Sequence, residues 1–318
     1  MKIVFMGTPD FAVPTLDALS RSEFQVACVV TQPDRPKGRG QAARFPPVKQ
    51  FALERGIPVL QPEKVNTPDF IEVLRGLAPD LAVVVAFGQI LNSRALAVPR
   101  HFCLNLHASL LPKYRGAAPI NRAIINGERE TGATTMKMDA GMDTGDILLT
   151  RVVPIKDSDN AQTLHDTLSA AGADLVLETV RRLERGTLAS TPQDPAQATY
   201  AAKLKKEDGL ICWNKSAVQI RDLVRGLEPW PGAYAFYKSM RIRIREAETA
   251  PGDPGDEPGT VVRVSDYGIE VGTARGRAVI TRLQPESKKP MPAKSFLQGH
   301  PLRKGDRFES HSGQPAAK

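Results

Sequence analysis

Asn105 and His107 stand two residues apart at the start of the run Asn105-Leu106-His107-Ala108-Ser109-Leu110-Leu111-Pro112-Lys113-Tyr114-Arg115-Gly116. An amide donates a hydrogen bond without titrating, and an imidazole holds or releases a proton near neutral pH. Side chains alternate faces along a strand, so these two polar groups share one side while Leu104 and Leu106 take the other. Ser109, Pro112 and Gly116 then turn the chain out of the sheet, and loops that leave strand ends are where α/β folds keep their sites. On spacing alone, a hydrogen-bonded Asn and His at a strand terminus with no chemical role fits as well.

Two further stretches carry polar groups in patterns that suggest chemistry. Residues 139–146 read Asp-Ala-Gly-Met-Asp-Thr-Gly-Asp, a tight loop that brings carboxylates together and that could equally be a plain turn. It lacks the spacing of a calcium loop, and Cys28, Cys103 and Cys212 lack Cys/His ligand spacing, so neither a metal site nor a disulfide framework is expected. Residues 32–44 form a connection much longer than the usual ~2–6 residues. It holds Arg35, Lys37, Arg39 and Arg44 against the single anion Asp34, with Gly38 and Gly40 to let it flex, a composition suited to presenting cations to phosphates.

The elements that must position these stretches read as an α/β fold. Residues 2–6 are a short apolar strand ending at Gly7, and Thr8-Pro9 is a helix entry in which Thr8 can cap a helix running to about Ser20. Residues 25–31, 58–61 and 81–87 read as buried strands, with a helix over 67–77. Strands alternating with helices predict a Rossmann-like, doubly wound, mostly parallel sheet. The opening has no G-x-G-x-x-G, and Pro9 removes an N–H that a phosphate would use, so a dinucleotide is not expected. Further on, 119–126 reads as a helix, 133–138 and 147–153 as strands, and 160–185 as a long amphipathic helix.

After residue 203 the texture changes. Residues 1–203 carry 23 Lys and Arg against 21 Asp and Glu, whereas residues 204–318 carry 20 against 14, so most of the net charge of +8 sits at the C-terminal end. A basic half beside a near-neutral one suggests a polyanionic partner, although a solubilising surface charge would look the same. One helix over 217–227 is followed by short alternating segments at 233–237, 241–247, 259–264, 268–271 and 277–284, the pattern of a small OB-like β-barrel. Arg241, Arg243 and Arg245 alternate on one of these strands and offer a polyanion track. The expected organisation is a catalytic domain over 1–186, a linker over 187–203 rich in Pro, Thr and Ala, the barrel over 204–308 and a disordered tail over 309–318. No apolar run approaches the ~20 residues needed to span a bilayer and no signal peptide is evident, so a cytoplasmic protein with reduced cysteines is expected.

These residues together resemble the methionyl-tRNA formyltransferases, over nearly the whole chain. The resemblance is carried by Gly7-Thr8-Pro9-Asp10-Phe11, the loop 32–40, Asn105-Leu106-His107 with Ser109-Leu110-Leu111-Pro112, and Met138-Asp139-Ala140-Gly141-Met142-Asp143-Thr144-Gly145. Tyr200-Ala201-Ala202-Lys203-Leu204 and Pro229-Trp230-Pro231-Gly232 extend it into the second half. It departs at Cys212, where relatives commonly have Asp, and at Gln41-Ala42-Ala43, where they have lysines.

The resemblance implies transfer of the formyl group of 10-formyltetrahydrofolate to the α-amino group of methionyl initiator tRNA, for translation initiation. It implies that Asn105 and His107 form an oxyanion hole, and that Asp143 orients His107 and accepts the amine proton directly or through water. Ser109, Leu110, Leu111 and Pro112 would line the folate site. The tRNA would be met by Arg35, Lys37, Arg39, Arg44, Lys203, Lys206, Arg241, Arg243 and Arg245. No metal and no membrane are implied, and a monomer is expected. A formyltransferase with a small-molecule acceptor or an RNA-binding module without catalysis are the rival readings. The arginine loop and basic second half speak against the first, the Asn105, His107 and Asp143 set against the second.

Overall fold

The structure is a computed structural model that describes residues 1–36 and 43–310. The chain divides into two compact units. The first comprises Met1–Pro119, Glu130–Pro154 and His165–Ala201; the second takes Ile120–Arg129, Ile155–Leu164 and the chain from Ala202 onward.

The first unit is built on a seven-stranded sheet. Its spatial order is Ile147–Pro154, Glu130–Lys137, Cys103–His107, Leu81–Val85, Lys2–Gly7, Gln25–Val30, Val59–Leu60. The last five of these run parallel, and Glu130–Lys137 runs antiparallel to both of its neighbours. The order reverses between Lys2–Gly7 and Leu81–Val85, because the chain winds outward to one side and then returns to the other. Beyond the carboxyl ends of strands at such a switch point lies the crevice where doubly wound sheets bind ligands. Leu81–Val85 is buried along its whole length, as a strand covered on both faces must be. Cys28 and Cys103 are buried in the sheet, and burial pushes their thiols up to about 11 and about 12, so both act as small apolar side chains.

Two expectations change here, and a third gains detail. Thr8 does not cap a helix: its hydroxyl donates to the Phe87 carbonyl at 2.8 Å, tying two strand ends together, and a short 3-10 turn at Asp10–Ala12 precedes the helix Val13–Ser20. The long 32–44 connection closes its own base, with Arg35–Pro36 pairing antiparallel to Ala43–Arg44. The stretch expected as a linker is instead fastened to the first unit as far as Ala201, through backbone pairs Thr191 with Ile147 and Tyr200–Ala201 with Arg115–Gly116. Pro-, Thr- and Ala-rich composition reports weak periodicity, and an extended segment that borrows hydrogen bonds from loops has no periodicity to show.

The second unit is an antiparallel sheet in the order Ala233–Tyr237, Met240–Ala250, Arg277–Pro285, Ile269–Gly272, Val261–Val264, with Met291–Pro292 beside Arg277–Pro285. Its core is the cluster around Trp213, Ile220, Ile242, Ile244, Ile280 and Phe296. Residues 305–309 bridge its two outer strands. Phe236 and Glu309 exchange hydrogen bonds at 2.9 and 2.8 Å, while Val261 donates to the Asp306 carbonyl at 2.7 Å. Glu309 therefore belongs to the half-barrel and not to a tail; the rest of the expected tail, apart from Ser310, lies outside the described residues.

Candidate active site

Cys103–His107 holds Asn105 and His107 at the carboxyl end of the parallel sheet, with Asn105 registered between Val84 and Met136. Their shared face is confirmed by Leu106 on the opposite one. Leu106 lies against Gly172 of the helix Ala161–Glu184, where a Cβ would come within 2.6 Å of Leu106 Cδ2. His107 is buried and Asn105 half-buried. The Asn105 amide has no hydrogen-bond partner among the described residues, so its donor and acceptor are free to meet a ligand.

His107 Nε2 lies 2.9 Å from the Tyr114 carbonyl oxygen. A carbonyl only accepts, so Nε2 carries the hydrogen and Nδ1 turns towards the Asp143 carboxylate. The Nδ1 to Asp143 Oδ2 distance is 3.6 Å, too long for a hydrogen bond and short enough for one proton to be shared after a small closure. Asp143 Oδ2 also accepts from the Gly116 N–H at 2.8 Å.

The three aspartates of residues 139–146 have separate tasks. Asp139 accepts from the Gly141 N–H at 3.0 Å and the Thr144 hydroxyl at 2.7 Å, bracing the turn. Asp146 accepts from the Ser190 hydroxyl at 3.1 Å. Asp143 alone faces His107, and it does so with φ 54°, a left-handed backbone that costs a non-glycine residue on the order of 1 kcal/mol or more. Tyr114, whose carbonyl holds His107, is left-handed as well, with φ 60°. At Gly145 a Cβ would stand 1.7 Å from the Lys137 carbonyl oxygen, so only glycine lets the loop return to the sheet this tightly.

An imidazole and a carboxylate poised around one proton, beside a free amide donor at a strand end, suit an acyl-type transfer in which an oxygen gains charge while a nucleophile loses a proton. Family models decide the class: residues 1–180 match the Formyl transferase model and residues 203–301 match the Formyl transferase C-terminal domain model. The chain belongs to the formyl transferase family. It is 53% identical over 305 residues to the methionyl-tRNA formyltransferase of Citrifermentans bemidjiense, covering 96% of this chain and 95% of that protein. It is 53% identical over 310 residues to that of Geobacter metallireducens, covering 97% and 98%. Among solved structures, a sugar 3N-formyl transferase crystallised in the presence of dTDP and 5-N-formyl-THF shares the fold at TM-score 0.67 and 20% identity, over 91% of this chain and 99% of that one. Members of this family use folate-derived formyl donors.

For a formyl transferase, the expected folate wall is only partly available. Ser109 is fully buried, and its hydroxyl donates to the Lys113 carbonyl at 2.6 Å while its own carbonyl accepts from the Thr134 hydroxyl at 2.6 Å. Leu111 is buried, with its N–H on the Thr134 hydroxyl at 3.2 Å, and Leu110 packs beside Gly132. Ser109 and Leu111 thus hold the loop's shape, leaving half-buried Leu110 and Pro112 on its rim. The loop after Leu81–Val85 was missed in the sequence: it leaves the switch point next to Asn105 with Ala86 left-handed at φ 47° and Ile90 82% exposed. The signal available was an apolar run that stops at Gly88 with an isoleucine two residues on.

The expected cations divide into three groups. Arg35, Lys203, Lys206 and Arg241 are exposed. Lys37 and Arg39 lie outside the described residues, as does the side chain of Arg44. Arg243 and Arg245 are not a free track: both bind the Glu228 carboxylate, at 3.0 and 2.6 Å, and Arg243 also donates to the Pro229 carbonyl. Arg241 instead lies 3.9 Å over the Tyr234 ring and lines an open groove of about 300 Å³ with Lys206 and Trp230, whose indole is 52% exposed.

Proposed function

We propose that this chain transfers the formyl group of 10-formyltetrahydrofolate to the α-amino group of methionine esterified to initiator tRNA. The observation that carries the reading is the convergence of the uncommitted Asn105 amide, His107 and Asp143 at the carboxyl end of the sheet. The relatives at about half identity over nearly their whole length support the tRNA substrate.

The residues fit a folate donor, because Asn105 is a half-buried amide without a partner beside a switch-point loop whose Ile90 presents apolar surface. Folate supplies the activated formyl group. Asn105 donates to the formyl oxygen as it gains negative charge, a contribution worth about 3 kcal/mol for a preorganised donor. The amine nitrogen bonds to the formyl carbon, the amine's proton passes to the His107–Asp143 pair, and the folate nitrogen takes up a proton from that pair as its bond to the formyl carbon breaks. Asp143 is the entry point, with its side chain 19% exposed against 7% for His107. Since Nε2 keeps its hydrogen on the Tyr114 carbonyl, His107 offers a second donor at Nδ1 only while the pair holds that extra proton.

Arg35 and the cations that follow it, with Lys203, Lys206 and Arg241, meet the tRNA phosphates, and Trp230 offers a stacking platform beside Lys206 and Arg241. The enzyme acts as a monomer in the cytoplasm, where its thiols stay reduced. The test is formylation of charged initiator tRNA with 10-formyltetrahydrofolate, beside a charged elongator tRNA and a nucleotide-sugar amine. Turnover confined to the initiator supports the reading; turnover of the small amine alone overturns it.

A further inference from the structure

The segment from Ser190 to Ala201 crosses both turns that build the site. At one end the Ser190 hydroxyl binds Asp146, and Thr191 and Ile147 exchange backbone hydrogen bonds at 2.9 Å. At the other end Arg115 donates its N–H to the Thr199 carbonyl at 2.8 Å, and Ala117 donates to the Ala201 carbonyl at 2.9 Å. Between these fastenings lies Gln193. Its Nε2 donates to the carbonyls of Asp143 at 2.8 Å and Gly145 at 2.7 Å, and its Oε1 accepts from Arg115 Nε at 3.0 Å and Nη2 at 2.7 Å. The amide thus uses both ends at once. It joins the turn that carries Asp143 to the turn whose Tyr114 carbonyl holds His107.

Two features mark this as more than surface fastening. Arg115 is 4% exposed, and the oxygen that takes its Nε and Nη2 hydrogens belongs to a neutral amide and not a carboxylate. A buried guanidinium polarises the Gln193 carbonyl and strengthens the two N–H bonds on its far side. The segment's bonds also land on two of the left-handed non-glycine residues of the site: Gln193 holds the Asp143 carbonyl, and the Thr199 hydroxyl accepts the Tyr114 N–H at 2.8 Å. A conformation that the residue itself disfavours persists only where its surroundings fix it.

We propose that Gln193, braced by Arg115, is a positioning residue for formyl transfer: it holds the turn in which the Asp143 carboxylate faces His107. The proposal rests on the formyl-transfer reading above. Gln193 touches neither substrate; it sets the separation and direction of the pair that takes the proton. Bidentate capture of two carbonyls on the same turn allows no rotation, whereas the single Gly116 bond to Asp143 Oδ2 would.

The test uses the full chain with Gln193→Glu and Gln193→Met, assayed on charged initiator tRNA. The first keeps an acceptor for Arg115 and loses both donors when ionised; the second loses all four bonds. A positioning role predicts a fall in kcat of about 30- to 100-fold in both, with KM for tRNA and folate within about twofold of the wild type. Gln193→Glu retains its melting temperature, because its new carboxylate pairs with Arg115. Between about pH 8 and about 5.5 the ratio of variant to wild-type kcat stays flat for both variants, since a carboxylate paired with Arg115 stays ionised throughout that range. A kcat within about threefold of the wild type in either variant overturns the proposal, as does a loss that follows the unfolded fraction alone. A wild-type protein that does not formylate the initiator tRNA overturns the function instead, so the two failures are told apart.

Discussion

Asp143 in the first unit and Glu228 in the second are carboxylates of similar exposure, 19% and 13% for their side chains, and the chain surrounds them in opposite ways. Glu228 is gripped by two guanidinium groups, Arg243 and Arg245. Asp143 receives one backbone N–H and looks across 3.6 Å at an imidazole, and among the described residues no Lys or Arg stands within ion-pair distance of it. A fully paired carboxylate is fixed and inert, because a proton added to it breaks strong bonds. A carboxylate held mainly through its backbone keeps its oxygens for a proton in transit. The same contrast recurs at Asp222, 3% exposed and bound by both Arg221 and Arg225. The second unit uses these arginines to fix its shape, and the first leaves the Asp143 carboxylate facing an imidazole.

The sharpest way to break the comparison is at the pair itself. His107→Ala and Asp143→Asn should each lower kcat by about 10³-fold with the fold intact by circular dichroism. If the two act as one proton-holding unit, the double variant loses little more than either single one. Losses that multiply would show that Asp143 acts independently of His107, as Glu228 acts independently of any catalytic group.

Glu228→Gln removes the charge that the two arginines share. Leaving two guanidinium groups half-buried without it should destabilise the second unit by about 2 kcal/mol, read as a lower melting temperature. The freed cations should also tighten tRNA binding at low salt and steepen its salt dependence by about one to two counterions. An unchanged salt slope would mean that Arg243 and Arg245 stay turned inward.

This pair also shows what was legible in the sequence. The alternation of Arg241, Arg243 and Arg245 on one strand was readable, and it holds over Met240–Ala250. Their partner at Glu228 lies in another element, and pairing across elements leaves no local pattern. The parallel sheet follows from unbroken apolar runs set between helical stretches, and the shared face of Asn105 and His107 from strand alternation, and both signals are local. The antiparallel return of Glu130–Lys137 beside Cys103–His107 and the fastening of Gln193 do not, because both are settled by which loops meet after folding. Thr8 misled for the same reason: a capping residue before a proline is a good local signal, and a carbonyl from a distant strand end won its hydroxyl. The Asp143 assignment, made from the resemblance, coincides with the one aspartate of its loop that faces His107.

Trp230 offers a smaller effect on the substrate side. Removing an exposed stacking surface with Trp230→Ala should raise KM for tRNA about tenfold, in line with ~1–3 kcal/mol per stacked base, and leave KM for folate unchanged. Equal rises in both constants would place Trp230 in the stability of the half-barrel and not at its surface.

Asp34 tests the comparison at its weakest end, where a paired carboxylate stands just before Arg35. It accepts from Lys49 Nζ and from Gln61 Nε2 at 2.9 Å, and Gln61 also donates to the Gln32 carbonyl at 2.9 Å. These contacts brace the chain just before the Arg35–Pro36 ladder. The Lys49 hydrogen bond, followed by that of Gln61, holds the Asp34 carboxyl below the usual carboxylate range. A group whose folded pKa is depressed contributes stability that is fully present above its unfolded pKa, near ~3.9, and is lost as pH falls through the folded value. The brace is therefore constant across the working range of the enzyme and fails only in acid. Asp34→Asn should raise KM for tRNA about threefold, a small effect because partly exposed ion pairs contribute little. The ratio of variant to wild-type KM should stay flat between about pH 6 and pH 8, with folate KM unaltered. A ratio that changes with pH in that window would mean that a group titrating near neutrality, and not this carboxylate, governs how the arginine loop meets its substrate.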